Sequence, residues 1–483
     1  MQLLVIQKIL GLLLMLFSIT MLPPLSIALW YEDKTVKTFM LCFMLILSLG
    51  AFLWLPVRKV NKELRLRDGF IVVVLFWAGL GLIGAMPFLL ASFPDMSFTD
   101  SLFESVSGLT TTGATVITGL DHLPKSILFY RQELQWLGGM GIIVLAVAIL
   151  PMLGIGGMQL YRAETPGPIK DSKLAPRITE TAKALWYIYL SLTIACALMY
   201  WIAGMSPFDA ISHSFSTVSI GGFSTHDQSI GYFNSGLINA VAVIFMLIAG
   251  INFTLHFIGW RSMSLNTYRK DSEVKAFVGV LVGLCVITCI YLGVKQTYDD
   301  PLDTLGHGIF QSVSIATTSG FTTTTYQDWP TFLPVLLIFA SFIGACAGST
   351  GGGLKVIRVV LLYKQGKREI KRLVHPNAII QIKLGGKPVD ESVINAVWGF
   401  FAAYVAVFAL LLILLLATGL DQVTAFSAVA ACLNNLGPGL GEVGANYTGI
   451  NDISKWLLCL AMLLGRLEIF TLLVLLTPTF WRR

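Results

Sequence analysis

Long apolar runs alternate with short polar connections along the whole chain of 483 residues. Ten runs are long enough to cross about 30 Å of hydrocarbon as helices; they lie near 3–30, 37–57, 69–91, 134–151, 183–204, 236–259, 276–295, 332–362, 393–418 and 455–477. The first run contains Pro23 and Pro24, which should kink or end a helix. The pattern therefore predicts an all-α polytopic membrane protein.

Composition supports a membrane protein and argues against other classes. Hydrophobic residues make up 55% of the chain and charged residues 12%, whereas soluble domains carry about 25% charged residues. The net charge of +6 lies in short loops, so it does not indicate a nucleic-acid partner. The 7 cysteines and 6 histidines show no metal-ligand spacing, and no Ser-His-Asp or paired-carboxylate arrangement indicates an enzyme. The first apolar run lacks a cleavage site and should remain as a helix.

Lysine and arginine are concentrated in alternate connections. The basic connections are 58–68, 162–177, 261–275 and 364–387, and Arg482 and Arg483 follow the last run. The segments 205–235, 296–330 and 419–453 contain no lysine or arginine, but they contain several aspartate and glutamate residues. The positive-inside rule places both termini and the basic connections in the cytoplasm. The acidic outer face should raise the local concentration of cations.

A short polar motif recurs in four connections on the acidic side. Its first copy, Ser105–Val116, reads S-V-S-G-L-T-T-T-G-A-T-V, and a helix over Thr99–Leu109 should end in this Thr-rich, Gly-containing strand. Related stretches are Phe208–Thr225, Phe310–Thr323 and Thr424–Gly441. They align on Gly113, Gly222, Gly320 and Gly437, roughly 100 residues apart, with Ser107, Ser216, Ser314 and Ala431 six residues earlier and Asp100, Asp209, His307 and Thr424 thirteen residues earlier.

The aligned residues predict how the repeated unit folds and how it divides the chain. Asp100, Asp209 and Thr424 are predicted to be the N-caps of short helices. An ordinary turn between two membrane helices would explain one copy of the motif, but not a repeated unit. We predict two extra transmembrane helices followed by four pseudo-fourfold helix–pore loop–helix repeats around one ion pore; the parts are 1–68, 69–182, 183–275, 276–392 and 393–483.

Four such loops suit the passage of a weakly bound cation. Rings of backbone carbonyls can replace the hydration shell of potassium, and a glycine in each loop relieves the backbone strain that inward-pointing carbonyls require. A ring of carboxylates would bind the ion too strongly. No carboxylate occurs within two residues of Gly113, Gly222, Gly320 or Gly437.

The chain resembles the TrkH type of bacterial potassium-uptake protein, within the Trk/Ktr/HKT superfamily. The motifs that carry the resemblance are T-T-T-G-A-T, S-I-G-G-F-S-T-H, A-T-T-S-G-F-T-T, N-N-L-G-P-G-L-G, G-G-M-G-I-I-V-L, A-G-S-T-G-G-G-L-K, K-R-L-V-H-P-N-A and L-G-R-L-E. The resemblance implies a potassium filter formed by Thr111, Thr112, Gly113, Ile220, Gly221, Gly222, Thr318, Ser319, Gly320, Asn435, Leu436 and Gly437. The four strands differ from the identical T-V-G-Y-G strands of tetrameric potassium channels; we expect rubidium to pass.

The same resemblance implies a location and partners. It places the chain in the bacterial cytoplasmic (inner) membrane as a homodimer. A separate ring of TrkA-type subunits that bind NAD(H) or ATP would dock on the cytoplasmic loops. Potassium would be the substrate, and no organic cofactor is expected in this chain.

A glycine-rich stretch interrupts the eighth apolar run. Four glycines lie within Ala345–Gly353, and each costs about 1 kcal/mol in a helix, so the span should unwind there. The resemblance implies an intramembrane gating loop, formed by Gly348, Ser349, Thr350, Gly351, Gly352 and Gly353. The alternative is a site of close helix packing between small residues.

Arg466 lies near the middle of the tenth run, where an arginine costs roughly 2.5–3.5 kcal/mol on insertion scales. We expect it to face the pore below the filter, opposite the glycine loop, as an electrostatic barrier to cations. The alternative is a structural ion pair with a neighbouring helix.

Three functions are compatible with this organisation. The first is a gated potassium-conducting protein. The second is a symporter that couples potassium to protons or sodium; it needs a titratable or sodium-binding site beside the broken helix, and no acidic residue occurs within Gly344–Gly353. The third, a non-transporting scaffold or receptor, would not require four repeated loops.

Overall fold

The computed structural model describes residues 1–60, 65–144 and 178–482, and helices dominate this part of the chain. The helices are α1 Leu3–Ile19, α2 Leu22–Trp30, α3 Val36–Trp54, α4 Leu66–Gly84, α5 Met86–Leu90, α6 Phe98–Leu109, α7 Lys125–Val144, α8 Ile178–Ile202, α9 Pro207–Ser219, α10 Gly236–Ala249, α11 Phe253–Ser262, α12 Asn266–Lys270, α13 Ser272–Val294, α14 Pro301–Ala316, α15 Phe332–Ile343, α16 Val356–Val374, α17 Glu391–Ala417, α18 Gln422–Leu433, α19 Asp452–Arg466, α20 Phe470–Leu476 and α21 Pro478–Trp481. Two short strands, β1 Lys383–Leu384 and β2 Lys387–Pro388, pair antiparallel, with Lys383 opposite Pro388.

The helices confirm the all-α membrane architecture. In the described part of the chain, 6 helical runs are long and apolar enough to cross a membrane. They are Leu3–Trp30, Val36–Val57, Arg67–Leu90, Lys183–Ile202, Ser272–Val294 and Glu391–Ala417. The eighth predicted span is divided into α15 and α16 by the glycine-rich stretch, as expected. The fourth corresponds to α7 up to Val144; its predicted remainder, and the basic connection 162–177, lie outside the described residues.

Two predicted spans are bent, which the hydrophobic pattern did not predict. The chain turns by 93° between α10 and α11 and by 114° between α19 and α20. At the first bend, the Asn252 side chain accepts a hydrogen bond from the backbone N–H of Thr254 and so starts α11 as a new helix. Hydropathy alone does not distinguish a bent run from a straight one, because both are apolar throughout.

The two N-terminal helices pack closely against each other. A Cβ on Gly11 would lie 2.9 Å from the carbonyl oxygen of Gly50, and a Cβ on Gly50 would lie 2.8 Å from the backbone nitrogen of Met15. Glycine at both positions therefore lets the backbones of α1 and α3 approach as small residues do in membrane helix pairs. Apolar side chains of α1, α3, α4 and α7 form one continuous buried cluster beside the first repeat.

Four short buried helices precede the repeated glycines, but their caps differ from the prediction. The N-caps are Ser97, Ser206, Asp300 and Asp421, each accepting a backbone N–H of the first turn. Asp100, Asp209 and Thr424 were predicted to be caps, and this was wrong. They lie at the third helical position, where Asp100, for example, accepts the Ser97 hydroxyl at 2.8 Å.

Candidate functional site

The four aligned glycines form a closed ring. An added Cβ at each glycine would lie very close to a backbone carbonyl oxygen of the next loop. The distance is 2.1 Å from Gly113 to the Gly221 oxygen, 2.1 Å from Gly222 to the Ser319 oxygen and 2.1 Å from Gly320 to the Leu436 oxygen. From Gly437 to the Thr112 oxygen it is 2.7 Å. Each glycine thus touches the carbonyl that precedes the next glycine, and the fourth loop returns to the first. The four loops surround a common axis, and only a residue without a side chain fits at each contact.

The short helices end in the same way in all four repeats. The residue before each glycine donates its N–H to the carbonyl five residues earlier: Thr112 to Ser107 at 2.9 Å, Gly221 to Ser216 at 2.8 Å, Ser319 to Ser314 at 2.8 Å and Leu436 to Ala431 at 2.7 Å. This is the long bond of a Schellman ending. The serines and alanine that the alignment placed six residues before the glycines are the acceptors of this bond.

Left-handed backbone occurs twice in each loop. The residues two before the glycines, Thr111, Ile220, Thr318 and Asn435, have φ of 55°, 55°, 67° and 54°, and the glycines have φ of 79–98°. Non-glycine residues adopt this conformation at a cost of about 1–2 kcal/mol, and it is exceptional for the β-branched Ile220. This alternation stores backbone strain in each of the four loops.

Side chains hold the loops in place from outside the ring. Gln135 donates to the Gly221 carbonyl at 2.6 Å and accepts the Phe223 N–H at 3.0 Å. Tyr447 donates to the Gly437 carbonyl at 2.7 Å. A carbonyl oxygen has two lone pairs, so these donors leave each oxygen one further acceptor site. Asn435 also bonds the hydroxyl of Thr112 at 3.0 Å, which joins the fourth loop to the first.

The glycine-rich stretch packs against the inner ends of three repeats. Gly352 donates its N–H to the Thr318 hydroxyl at 2.7 Å, and Gly353 donates to the Asn434 carbonyl at 3.0 Å. The Thr350 hydroxyl donates to the Val218 carbonyl at 2.9 Å. A Cβ on Gly352 would lie 2.0 Å from the Asn434 oxygen. The stretch is therefore non-helical, as predicted, and Gly352 packs closely against the C-terminal end of α18.

Arg466 reaches this stretch from the fourth repeat. Its guanidinium donates to the Thr350 carbonyl at 3.1 Å and to the Gly138 and Gly139 carbonyls of α7. The neighbouring carboxylate of Glu468 pairs with Arg358. The side chain of Arg466 thus bridges the glycine-rich stretch and the first repeat.

An open cavity of about 450 Å³ lies on the other side of the ring. All four ring glycines line it, together with polar groups that include Arg131 and His226. The ring of glycines therefore lies between this open cavity on one side and the packed glycine-rich stretch on the other.

Comparison with known proteins gives the family. A family model described as TrkH, cation transport protein, matches residues 35–482. This chain belongs to the TrkH family. The Trk system potassium uptake protein TrkH of Vibrio parahaemolyticus is 61% identical over 479 residues, and the protein of that name from Escherichia coli K12 is 58% identical over 477 residues; each alignment covers 99% of both chains. The crystal structure of the potassium transporter TrkH from Vibrio parahaemolyticus matches with a TM-score of 0.92 and 59% identity, covering 100% of both chains.

A buried ion pair supports the first loop of this TrkH-family chain, and the sequence analysis missed it. Arg131 contacts Glu104 at 2.7 Å, and both side chains are almost fully buried. Glu104 also accepts the Val116 N–H at 3.0 Å, while Arg131 donates to the Ser224 carbonyl at 3.0 Å. The pair therefore ties the strand after the first ring glycine to the strand after the second. Glu104 in the middle of a short helix, away from its first turn, was the available signal.

His226 forms a charged cluster at the rim of the outer cavity. Its Nδ1 contacts the carboxylate of Asp121, its Nε2 lies 3.5 Å from the carboxylate of Asp209, and its ring stacks on Tyr232. Burial lowers the pKa of His226, but the carboxylates of Asp209 and Asp121 raise it by more, so the pKa lies above its ordinary value. The cluster links the outer loops of repeats one and two.

This cluster predicts a pH-dependent contribution to stability. Because the folded pKa of His226 is raised, the stabilisation is complete below the unfolded pKa of about 6.5 and is lost as pH rises through the folded pKa. We expect the thermal midpoint of the wild type to exceed that of His226→Gln by about 1–2 °C near pH 6, with the difference shrinking toward about pH 9. Thermal unfolding in detergent measures it, with the exposed His122→Gln as control. A difference independent of pH would contradict the assignment.

Proposed function

We propose that this protein takes up potassium across the bacterial cytoplasmic membrane through a gated filter lined by backbone carbonyls. The observation that carries the proposal is the closed ring in which each of Gly113, Gly222, Gly320 and Gly437 contacts the carbonyl preceding the next. Neutral carbonyls bind potassium weakly enough for it to leave again. The names of the relatives from Vibrio parahaemolyticus and Escherichia coli, potassium uptake proteins, support the same ion.

The filter and the gate are assigned to two layers of the fold. The proposed filter residues are Thr111, Thr112, Gly113, Ile220, Gly221, Gly222, Thr318, Ser319, Gly320, Asn435, Leu436 and Gly437. The proposed gate is Gly348, Ser349, Thr350, Gly351, Gly352 and Gly353 together with Arg466. The bonds from Gly352 and Gly353 to the inner ends of the filter loops support this order, because a loop held there obstructs an ion that has passed the ring.

The charges of the connections support a proposal for orientation, and the family supports one for regulation. The lysine- and arginine-rich connections and both termini are assigned to the cytoplasm. We assign the docking of a TrkA-type ring that binds NAD(H) or ATP to these connections, and homodimerisation to the membrane part. The two extra helices and four repeats, with boundaries at 1–68, 69–182, 183–275, 276–392 and 393–483, form one conducting unit in this proposal.

Two measurements on purified protein test the function. Rubidium flux into proteoliposomes should be detectable, and it should respond to addition of the nucleotide-binding ring. Single-channel currents in planar bilayers should appear as discrete steps, since a symporter cannot pass ions fast enough to produce them. Rubidium uptake that requires a proton or sodium gradient and gives no current steps would instead identify a symporter. No flux under any condition would overturn the proposal.

A further inference from the structure

Glu273, at the start of α13, reaches the glycine-rich stretch from another helix. One oxygen of its carboxylate, Oε1, accepts two backbone N–H groups: Ala347 at 2.7 Å and Ile357 at 3.1 Å. Ala347 immediately precedes Gly348, and Ile357 lies in the first turn of α16. A single side-chain atom therefore bonds the chain at both ends of the stretch.

Glu273 lies between the N-terminal ends of two helices. The side chain is 9% exposed and lies in the first turn of its own helix. Ile357 places the same carboxylate at the N-terminal end of α16, so two helix dipoles point their positive ends at it. In the described part of the chain, no lysine, arginine or histidine forms an ion pair with Glu273 within 4.0 Å. The two backbone N–H groups are thus the partners of this carboxyl group, and because the site is buried, losing them leaves polar groups unsatisfied at a cost of about 1–3 kcal/mol.

The stretch has a second attachment, at the bend between α10 and α11. Cys346 donates its N–H to the Gly250 carbonyl at 3.0 Å, and Phe253 donates to the Gly348 carbonyl at 2.9 Å. The residues that follow this bend, 253–272, lead through α11 and α12 directly to Glu273. The continuous segment 253–273 overlaps the basic connection 261–275. Its first residue, Phe253, and its last residue, Glu273, both contact the glycine-rich stretch.

We infer that Glu273 is a positioning residue for the gate: its carboxylate holds both ends of the glycine-rich stretch and couples them to the connection between α11 and α13. This inference rests on the proposed function of that stretch as a gate. A displacement of the connection moves the N-terminus of α13, and with it the acceptor shared by Ala347 and Ile357. When the carboxyl group is removed, the glycine-rich stretch loses both hydrogen bonds and is held less firmly beneath the proposed filter.

Substitution at Glu273 should raise the basal flux. In Glu273→Gln an amide replaces the carboxyl group and weakens the two bonds with little change of shape, and in Glu273→Asp the side chain is one methylene too short to keep both bonds. We expect basal rubidium flux, without the nucleotide-binding ring, to increase about fivefold to tenfold in Glu273→Gln and less in Glu273→Asp. The ratio of rubidium to sodium flux should not change, because the filter is untouched.

The reaction rate of a buried thiol reports how accessible the glycine-rich stretch is. Cys346 is fully buried; in a background without the other six cysteines, its reaction with a small thiol reagent should accelerate by a similar factor in Glu273→Gln. Asp271→Asn is the matched control. Asp271 caps the same helix by accepting the N–H groups of Glu273 and Val274, and an asparagine side chain can cap a helix in the same way. Asp271→Asn should leave both rates within about twofold of the wild type.

Three other outcomes have distinct meanings. If neither Glu273 variant changes flux or thiol reactivity while Gly348→Ala changes flux, the positioning role is overturned and the gate stands. If Gly348→Ala also leaves flux unchanged in folded protein, the gate itself is overturned. If Glu273→Gln instead abolishes uptake driven by an inward proton gradient, with Cys346 reacting as in the wild type, Glu273 is a proton-coupling group, and the positioning inference fails.

Discussion

Alanine at Gly113, Gly222 or Gly320 is expected to reduce rubidium flux into proteoliposomes about 100-fold. At each position a Cβ would lie 2.1 Å from the carbonyl oxygen preceding the next glycine of the ring. No Cβ tolerates that separation, so the carbonyl must move, and such overpacking costs about 1–3 kcal/mol. The left-handed backbone adds roughly 1–2 kcal/mol. A total near 3 kcal/mol corresponds to about 100-fold in an equilibrium constant.

Substitutions at two other glycines distinguish the effect of steric crowding by an added Cβ from the effect of left-handed backbone. Gly437→Ala should have a smaller effect, about tenfold, because its Cβ would lie 2.7 Å from the nearest oxygen. Gly119 has a φ of +72° but nothing within 4 Å of an added Cβ, so Gly119→Ala should keep flux within about twofold of the wild type. Folding is checked by the thermal midpoint. Normal flux through Gly113→Ala, or an equal loss in Gly119→Ala, would show that the ring contacts do not line the ion path.

Arg466→Ala is expected to raise the leak of rubidium through the closed protein at least about tenfold. The substitution removes the bond to the Thr350 carbonyl and the positive charge next to the proposed gate. At a separation of about 8 Å, two unit charges interact by roughly 2 kcal/mol at an effective dielectric constant near 20, which exceeds the 1.4 kcal/mol of a tenfold change. Leak is measured as rubidium flux in the absence of the nucleotide-binding ring.

Arg466→Lys distinguishes a charge barrier from a mechanical latch. Lysine keeps the charge but loses the planar fork that reaches carbonyls on two elements. A charge barrier predicts that Arg466→Lys leaks little more than the wild type, and this is the result we expect. A lysine variant that leaks as much as the alanine variant would identify a latch. Unchanged leak and conductance in Arg466→Ala would exclude both roles.

The sequence alone determined the features that depend on composition and spacing. Apolar runs predict the membrane spans because a helix in lipid must be apolar over its whole length. The common spacing of Gly113, Gly222, Gly320 and Gly437 predicts four equivalent loops, since one structural unit places its glycine at one position. The cluster of glycines after Ala345 predicts the break in the eighth span, because several glycines together destabilise a helix locally.

Only the tertiary structure decided which groups meet across the repeats. Gly113 requires the carbonyl of Gly221 as a neighbour, Glu104 requires Arg131, and Glu273 requires the N–H groups of Ala347 and Ile357. The left-handed backbone at Ile220 likewise contradicts its residue type and is imposed by the packed ring around it. Residue preferences act within a few positions of the chain, whereas these contacts join segments tens to more than a hundred residues apart, and their partners are set by how the helices pack.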